Sequence, residues 1–127
     1  MTDLFITGVY GQLGRAVAEA ASAAGRSVRG VDLDTLDITD RGAVLDAVTD
    51  ARPRAVVNCA AFTAVDRCEQ EEELATAVNG TAVAHLAEAC DRAGALLVQV
   101  STDYVFPGRG IRPYREEDPV GPVSAYG

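Results

Sequence analysis

Three glycines recur at even spacing near the start of the chain, Gly8, Gly11 and Gly14 in "TGVYGQLGRA", directly after the apolar run "DLFIT". Between a strand and a helix, such glycines let the backbone turn tightly and approach a phosphate that a Cβ would push away. The third lets helix and strand pack closely. Amides opening the following helix, around Gln12 and Leu13, would then donate to an anion with help from the helix dipole. The chemistry this spacing points to is retention of a dinucleotide by its pyrophosphate. Asp32 ends the next apolar run, near the roughly 20-residue offset at which a carboxylate accepts from an adenosine ribose hydroxyl. An acid there favours NAD, because it repels a 2′-phosphate. Asp34 competes for that role, and Arg29 or Arg15 could neutralise such a phosphate, so NADP stays open.

Further along, Asp37 and Ile38 pair a polar with an apolar residue, suited to the amino edge and face of an adenine or equally to a plain turn. "NCAAFTAVD" closes an apolar run with small residues, so Ala60 and Ala61 leave room for a flat group across the backbone and Thr63 adds a hydroxyl. "STDYVF" crowds Ser101, Thr102, Asp103 and Tyr104 together. Proton transfer to a carbonyl oxygen needs a hydroxyl donor held beside a second hydroxyl that fixes the substrate oxygen. Thr102 and Tyr126 suit that pair, and Tyr104 is a competing donor. His85 reads as a partly exposed helix residue, and "EQEEE" as a solvated helix start, where negative charge suits the dipole, not as a metal site. Cys59, Cys68 and Cys90 are odd in number and lack C-x-x-C spacing, so they read as reduced, half-buried thiols.

The elements that must position these groups alternate in period. "DLFIT", "SVRGVD", "RAVVNCAA" and "ALLVQVST" are short apolar runs and predict strands. Between them, Leu13, Val17, Ala20 and Ala24 are spaced for one helix face, with Gly25 at its end. Val44, Leu45 and Val48 mark a second helix, N-capped by Thr39 or Asp40 and halted before Pro53. Leu74, Val78, Ala82, Leu86 and Ala89 mark the longest helix, from about Glu71 to Ala93, with Gly94 ending it. After Asp103 glycine, proline and charge predict a long loop. Strand and helix in strict alternation mean a doubly wound α/β domain with a parallel sheet. In such sheets ligands bind beyond the carboxyl ends of the strands, which brings all the groups above to one rim.

At 127 residues and 48% hydrophobic content the chain is one domain with a real core. Its net charge of −8 argues against non-specific nucleic-acid binding. No apolar run approaches a membrane span and no signal pattern opens the chain, so the cytoplasm is expected. All eleven basic residues are arginine, so no lysine serves any mechanism here.

"GQLG", "LDITD", "VVNCAAFTAVDRCE", "AVNGTAVAHLAEAC", "VQVSTDYVFPG" and "PYREEDPVGPVSAYG", in this order, resemble the dTDP-4-dehydrorhamnose reductases, extended short-chain dehydrogenase/reductases that act on nucleotide sugars. The resemblance covers essentially the whole chain and implies a Rossmann-type NAD(P)-binding domain over residues 1–127. It implies that Gly8, Gly11, Gln12, Leu13 and Gly14 cradle the pyrophosphate, that Asp37 and Ile38 border the adenine, and that Ala60, Ala61 and Thr63 line the ribose and nicotinamide path. Thr102 matches the hydroxyl member of the catalytic set and Tyr126 its proton donor. Asn79 matches a helix asparagine that shapes such sites, and Tyr104 would lie near the sugar. The implied reaction uses NADH or NADPH to reduce the C4 ketone of a dTDP-sugar, dTDP-4-dehydro-L-rhamnose, to dTDP-L-rhamnose for cell-surface polysaccharide. The family motif Y-x-x-x-K places a lysine three residues beyond Gly127, and later strands and substrate segments would follow. The chain is therefore expected to be the N-terminal part of a longer reductase, deficient in catalysis alone. A regulatory module like that of methionine adenosyltransferase, or a nucleotide-sugar epimerase or dehydratase, shares much of the pattern. An open sheet edge leaves homo-oligomers open as well.

Overall fold

In the computed structural model, which describes residues 1–127, the four apolar runs become strands β1 (Thr2–Thr7), β2 (Val28–Val31), β3 (Pro53–Asn58) and β4 (Leu96–Gln99). They form one parallel sheet in the order β2-β1-β3-β4. From β1 the chain runs outward to β2 on one side and then returns to β3 on the other. The carboxyl ends of β1 and β3 therefore flank the point where strand order reverses, the place where such sheets open a crevice. The register sets Thr7 between Val31 and Asn58, and Asn58 beside Gln99.

Helix α1 (Gln12–Ala23) joins β1 to β2, and α2 (Arg41–Ala51) joins β2 to β3. Asp40 is the N-cap of α2, its Oδ1 accepting from the Ala43 amide at 3.0 Å. Gly25 turns the chain out of α1 at φ 70°, and Gly94 at φ 66° ends the last helix, so both glycines stop helices as their positions predict. The core lies between one sheet face and two helices: Phe5 and Val56 from the strands, Val44 and Val48 from α2, Leu86 and Ala82 from α5 (Ala82–Ala93) are fully buried. Each larger side chain there contributes on the order of 1.5–3 kcal/mol of burial.

Two elements differ from their sequence reading. The expected α1 face of Leu13, Val17, Ala20 and Ala24 is rotated: Gly14 and Ala21 are buried, while Leu13 is 45% exposed. Gly14 lies against the backbone of Gly8 and Val9, and that approach fixes the rotation. The long helix is also not uniform. A short helix α3 (Val65–Gln70) precedes it, the chain breaks at Glu71, and α4 (Glu72–Thr76) reaches α5 through a wide π-helical turn, Ala77–Thr81.

Helix α1 packs on β1 and β2. Over β4 the same sheet face is open, and Leu96, Val98 and Val100 are 65%, 43% and 41% exposed. No helix is long and apolar enough to cross a membrane.

Candidate functional site

The rim of the sheet carries two clefts, of about 680 and 720 Å³, that meet over the β1–α1 turn and share Gly11, Ala60 and Ala61. Gly8 makes this junction possible. It holds φ 63°, and a Cβ on it would stand 2.7 Å from the Ala60 nitrogen. A Cβ on Gly14 would meet the Gly8 carbonyl and come within 2.8 Å of the Val9 Cα. Around Gly11 only the Gly8 carbonyl lies near, at 3.3 Å, so this glycine borders open space. Helix α1 has no side-chain cap, and the amides of Gln12, Leu13 and Gly14 have no acceptor within the chain. Those donors, beside a cradle that a Cβ would fill, fit an anionic diphosphate.

The first cleft lies over β1 and β2. Asp32 enters it with its carboxylate fixed: Oδ2 accepts from the Tyr10 amide at 2.9 Å and Oδ1 from the Leu33 amide at 2.8 Å. Asp34 does not line the cleft. Asp37 and Ile38 do, with Ile38 buried and Asp37 Oδ1 accepting from the Thr39 hydroxyl at 2.7 Å and its amide at 2.9 Å. Those two bonds, the hydroxyl's first, hold the Asp37 carboxyl below its ordinary range. Arg29 is elsewhere: it pairs with Asp50 of α2 at 2.6 Å, and Arg15 lines neither cleft.

The second cleft lies over β3 and β4 and gathers Gln12, Leu13, Gly14, Thr63, Asn79, Thr102 and Tyr126. A run of polar side chains that the strand register brings together, from buried Thr7 and Asn58 to exposed Gln99, leads from the first cleft into this one. The Thr7 hydroxyl donates to Asn58 Oδ1 at 2.5 Å, Asn58 Nδ2 donates to Gln99 Oε1 at 2.7 Å, and the Ala60 amide donates to Thr7 Oγ1 at 3.3 Å. Asn79 reaches out of the π-turn and clamps Phe62, accepting from its amide at 2.8 Å and donating to its carbonyl at 2.9 Å. Cys59 lines both clefts, and burial pushes its thiol up.

Tyr126 is brought to the second cleft by a returning loop. The Gly121 amide donates to the Val105 carbonyl at 2.9 Å, and the Ala125 amide donates to Glu69 Oε1 at 2.8 Å. Upstream, Arg112 forks onto Asp118 and, with the Arg115 amide, holds that carboxyl at about 2. Tyr104 lines neither cleft. Its ring stands edge-on to Tyr126, with centroids 5.3 Å apart, and of the two tyrosines Tyr126 is the one that lines the second cleft.

Sequence reasoning missed the apolar wall of the first cleft, Leu36, Phe62, Leu74 and Val78. Leu74 and Val78 belong to the predicted helical stripe, but that stripe outruns the core and its first turns face the cleft. The signal was present in its length.

A doubly wound parallel sheet with a glycine turn at its switch point and two confluent clefts, one of them lined by both Thr102 and Tyr126, defines a Rossmann-type domain of the short-chain dehydrogenase/reductase kind. Within that class the chain belongs to the dTDP-4-dehydrorhamnose reductase family: the family model described as the RmlD substrate binding domain matches residues 1–127. A dTDP-4-dehydrorhamnose reductase of Streptomyces griseus is 53% identical over 122 residues, which cover 96% of this chain and 40% of that protein. The crystal structure of a dTDP-4-dehydrorhamnose reductase from Clostridium acetobutylicum superposes with a TM-score of 0.95 at 43% identity, covering 98% of this chain and 45% of that one. One from Bacillus anthracis, in complex with NADP, gives 0.93 at 36% identity over 98% of this chain and 45% of that one. The chain spans less than half the length of each.

Proposed function

We propose that residues 1–127 form the coenzyme-binding domain of an NAD(P)H-dependent reductase that converts the C4 ketone of dTDP-4-dehydro-L-rhamnose to the alcohol of dTDP-L-rhamnose. The observation that carries this reading is the confluence of the two clefts over three acceptor-free amides, with Thr102 and Tyr126 in the second cleft. Family membership supports the substrate.

In this reading the amides of Gln12, Leu13 and Gly14 bind the diphosphate, with Gly8 and Gly11 keeping the space clear. Asp32 accepts from the adenosine ribose, and Asp37 and Ile38 border the adenine. Ala60, Ala61 and Thr63 line the way to the second cleft. Bound NADH or NADPH supplies the hydride there. Tyr126 Oη donates a proton to the C4 carbonyl oxygen while Thr102 Oγ1 holds that oxygen in place. Tyr104 steadies the Tyr126 ring, and Asn79 fixes the loop that carries Ala60 to Thr63.

The test combines binding and turnover. Each reduced coenzyme is titrated into the protein while the melting temperature is followed, and turnover of dTDP-4-dehydro-L-rhamnose is measured in a reductase that carries residues 1–127 as this domain. A melting shift, with reduced coenzyme consumed in step with dTDP-L-rhamnose formed and slowed by about 10²–10⁴ in Tyr126→Phe, supports the proposal. No shift with either coenzyme overturns it.

A further inference from the structure

His85 sits half-buried on α5, with its Nδ1 3.3 Å from the Ile38 carbonyl oxygen in the segment that leads from β2 to α2. A carbonyl only accepts, so Nδ1 carries the hydrogen and donates it. This bond is the single polar tie from residues 33–39 to a distant part of the chain. All their other hydrogen bonds close locally, among residues 32 to 40. Leu36 and Ile38 also pack into the core with Leu86 and Ala89 of α5. Apolar packing is non-directional, however, and does not set which way a peptide faces. Three residues along α5, Glu88 receives the fork of Arg41 at the start of α2, so the helix that carries His85 is fastened just beyond the segment as well.

What the tie controls is one peptide plane. The Ile38 carbonyl and the Thr39 amide belong to the same trans unit and point in opposite directions. Held at its oxygen by His85, that unit presents its N–H to Asp37 Oδ1 at 2.9 Å. The Thr39 hydroxyl donates to the same oxygen, which leaves Oδ2 free, and Asp37 lines the first cleft. We infer that His85 is a positioning residue for the adenine: through the Ile38–Thr39 peptide it fixes the Asp37 carboxylate against the amino edge of the base. The inference rests on the coenzyme reading above and adds to it a residue that lines neither cleft. Without the Nδ1 donor the carbonyl of Ile38, a residue only 7% exposed, loses its partner and the peptide is free to turn.

The test titrates the protein calorimetrically with NADH and with its hypoxanthine counterpart, whose base carries a carbonyl where adenine carries the amino group. The wild type is expected to prefer NADH by about tenfold, the worth of one hydrogen bond to a charged acceptor. His85→Leu keeps the bulk and removes the donor. His85→Asn restores an N–H in place of Nδ1, because both nitrogens are bonded to Cγ. The leucine variant should lose about three- to tenfold in NADH affinity and little for the hypoxanthine coenzyme, so the preference shrinks. The asparagine variant should keep the wild-type preference to within about twofold. A preference unmoved in His85→Leu, or a loss shared equally by both coenzymes, makes His85 a packing residue and overturns the inference. So does an asparagine variant that behaves like the leucine one. A wild type that binds both coenzymes equally overturns Asp37 as the reader of the base, and this inference with it, while coenzyme binding stands. Binding of neither overturns the parent reading as well.

Discussion

Gly11 and Gly14 stand three residues apart in one turn and carry different burdens. At Gly14 an added methyl would come within 2.8 Å of backbone atoms of Gly8 and Val9, which no side-chain rotation relieves. At Gly11 it would meet one carbonyl at 3.3 Å and otherwise project into the space shared by the two clefts. Gly11 holds φ −71°, so alanine suits its backbone. Gly14→Ala is therefore expected to cost about 1–3 kcal/mol of stability, the usual penalty for overpacking. Gly11→Ala should cost under about 1 kcal/mol and weaken NADH binding by at least about tenfold. Urea denaturation and coenzyme titration on both variants separate the two roles. Equal stability losses would mean that Gly11 is a packing residue like its neighbour.

Between residue and fold, the informative element is the π-turn. An ordinary α-helix through Ala77–Thr81 would point Asn79 along a regular face, but the wide turn frees it to clamp both polar groups of the Phe62 backbone. Asn79→Ala leaves a part-buried amide and carbonyl without partners, at an expected cost of about 1–3 kcal/mol. Asn79→Asp keeps the acceptor but sets a carboxylate against the Phe62 carbonyl, so it should not rescue the loss. Urea midpoints of the two variants check this, and an aspartate variant as stable as the wild type would show that the donor half of the clamp is idle. No spacing rule predicts such a turn, because the apolar positions from Leu74 to Ala89 fit an unbroken helix. The strands were legible as short apolar runs, and the caps at Asp40, Gly25 and Gly94 as single residues with local mechanisms. What stayed hidden depends on contacts remote in sequence. Gly14 against Gly8 and Val9 sets the rotation of α1, strand register assembles Thr7, Asn58 and Gln99, and Asn79 finds Phe62 across 17 residues. Gly8, Asp32, Thr102 and Tyr126 could be nominated from residue type and order. That Tyr126 lines the second cleft while Tyr104 stands edge-on behind it, outside both clefts, could not.

At the scale of the whole molecule, a chain of net charge −8 is asked to hold a coenzyme that is itself an anion. The two facts are reconciled by distance. The acceptor-free amides of Gln12, Leu13 and Gly14 act only at hydrogen-bond range, whereas the excess of carboxylates acts over the whole approach. Raising the ionic strength from about 0.01 to 0.15 M shortens the Debye length from about 30 to about 8 Å. That removes most of the long-range repulsion and leaves the short contacts nearly untouched. The association rate of NADH should therefore rise several-fold with salt while the dissociation rate stays nearly constant. Stopped-flow binding over a salt series measures both rates. An association rate that falls with added salt would mean that a positive field at the mouth of the clefts outweighs the net charge, and the amide-only account of diphosphate binding would have to be abandoned.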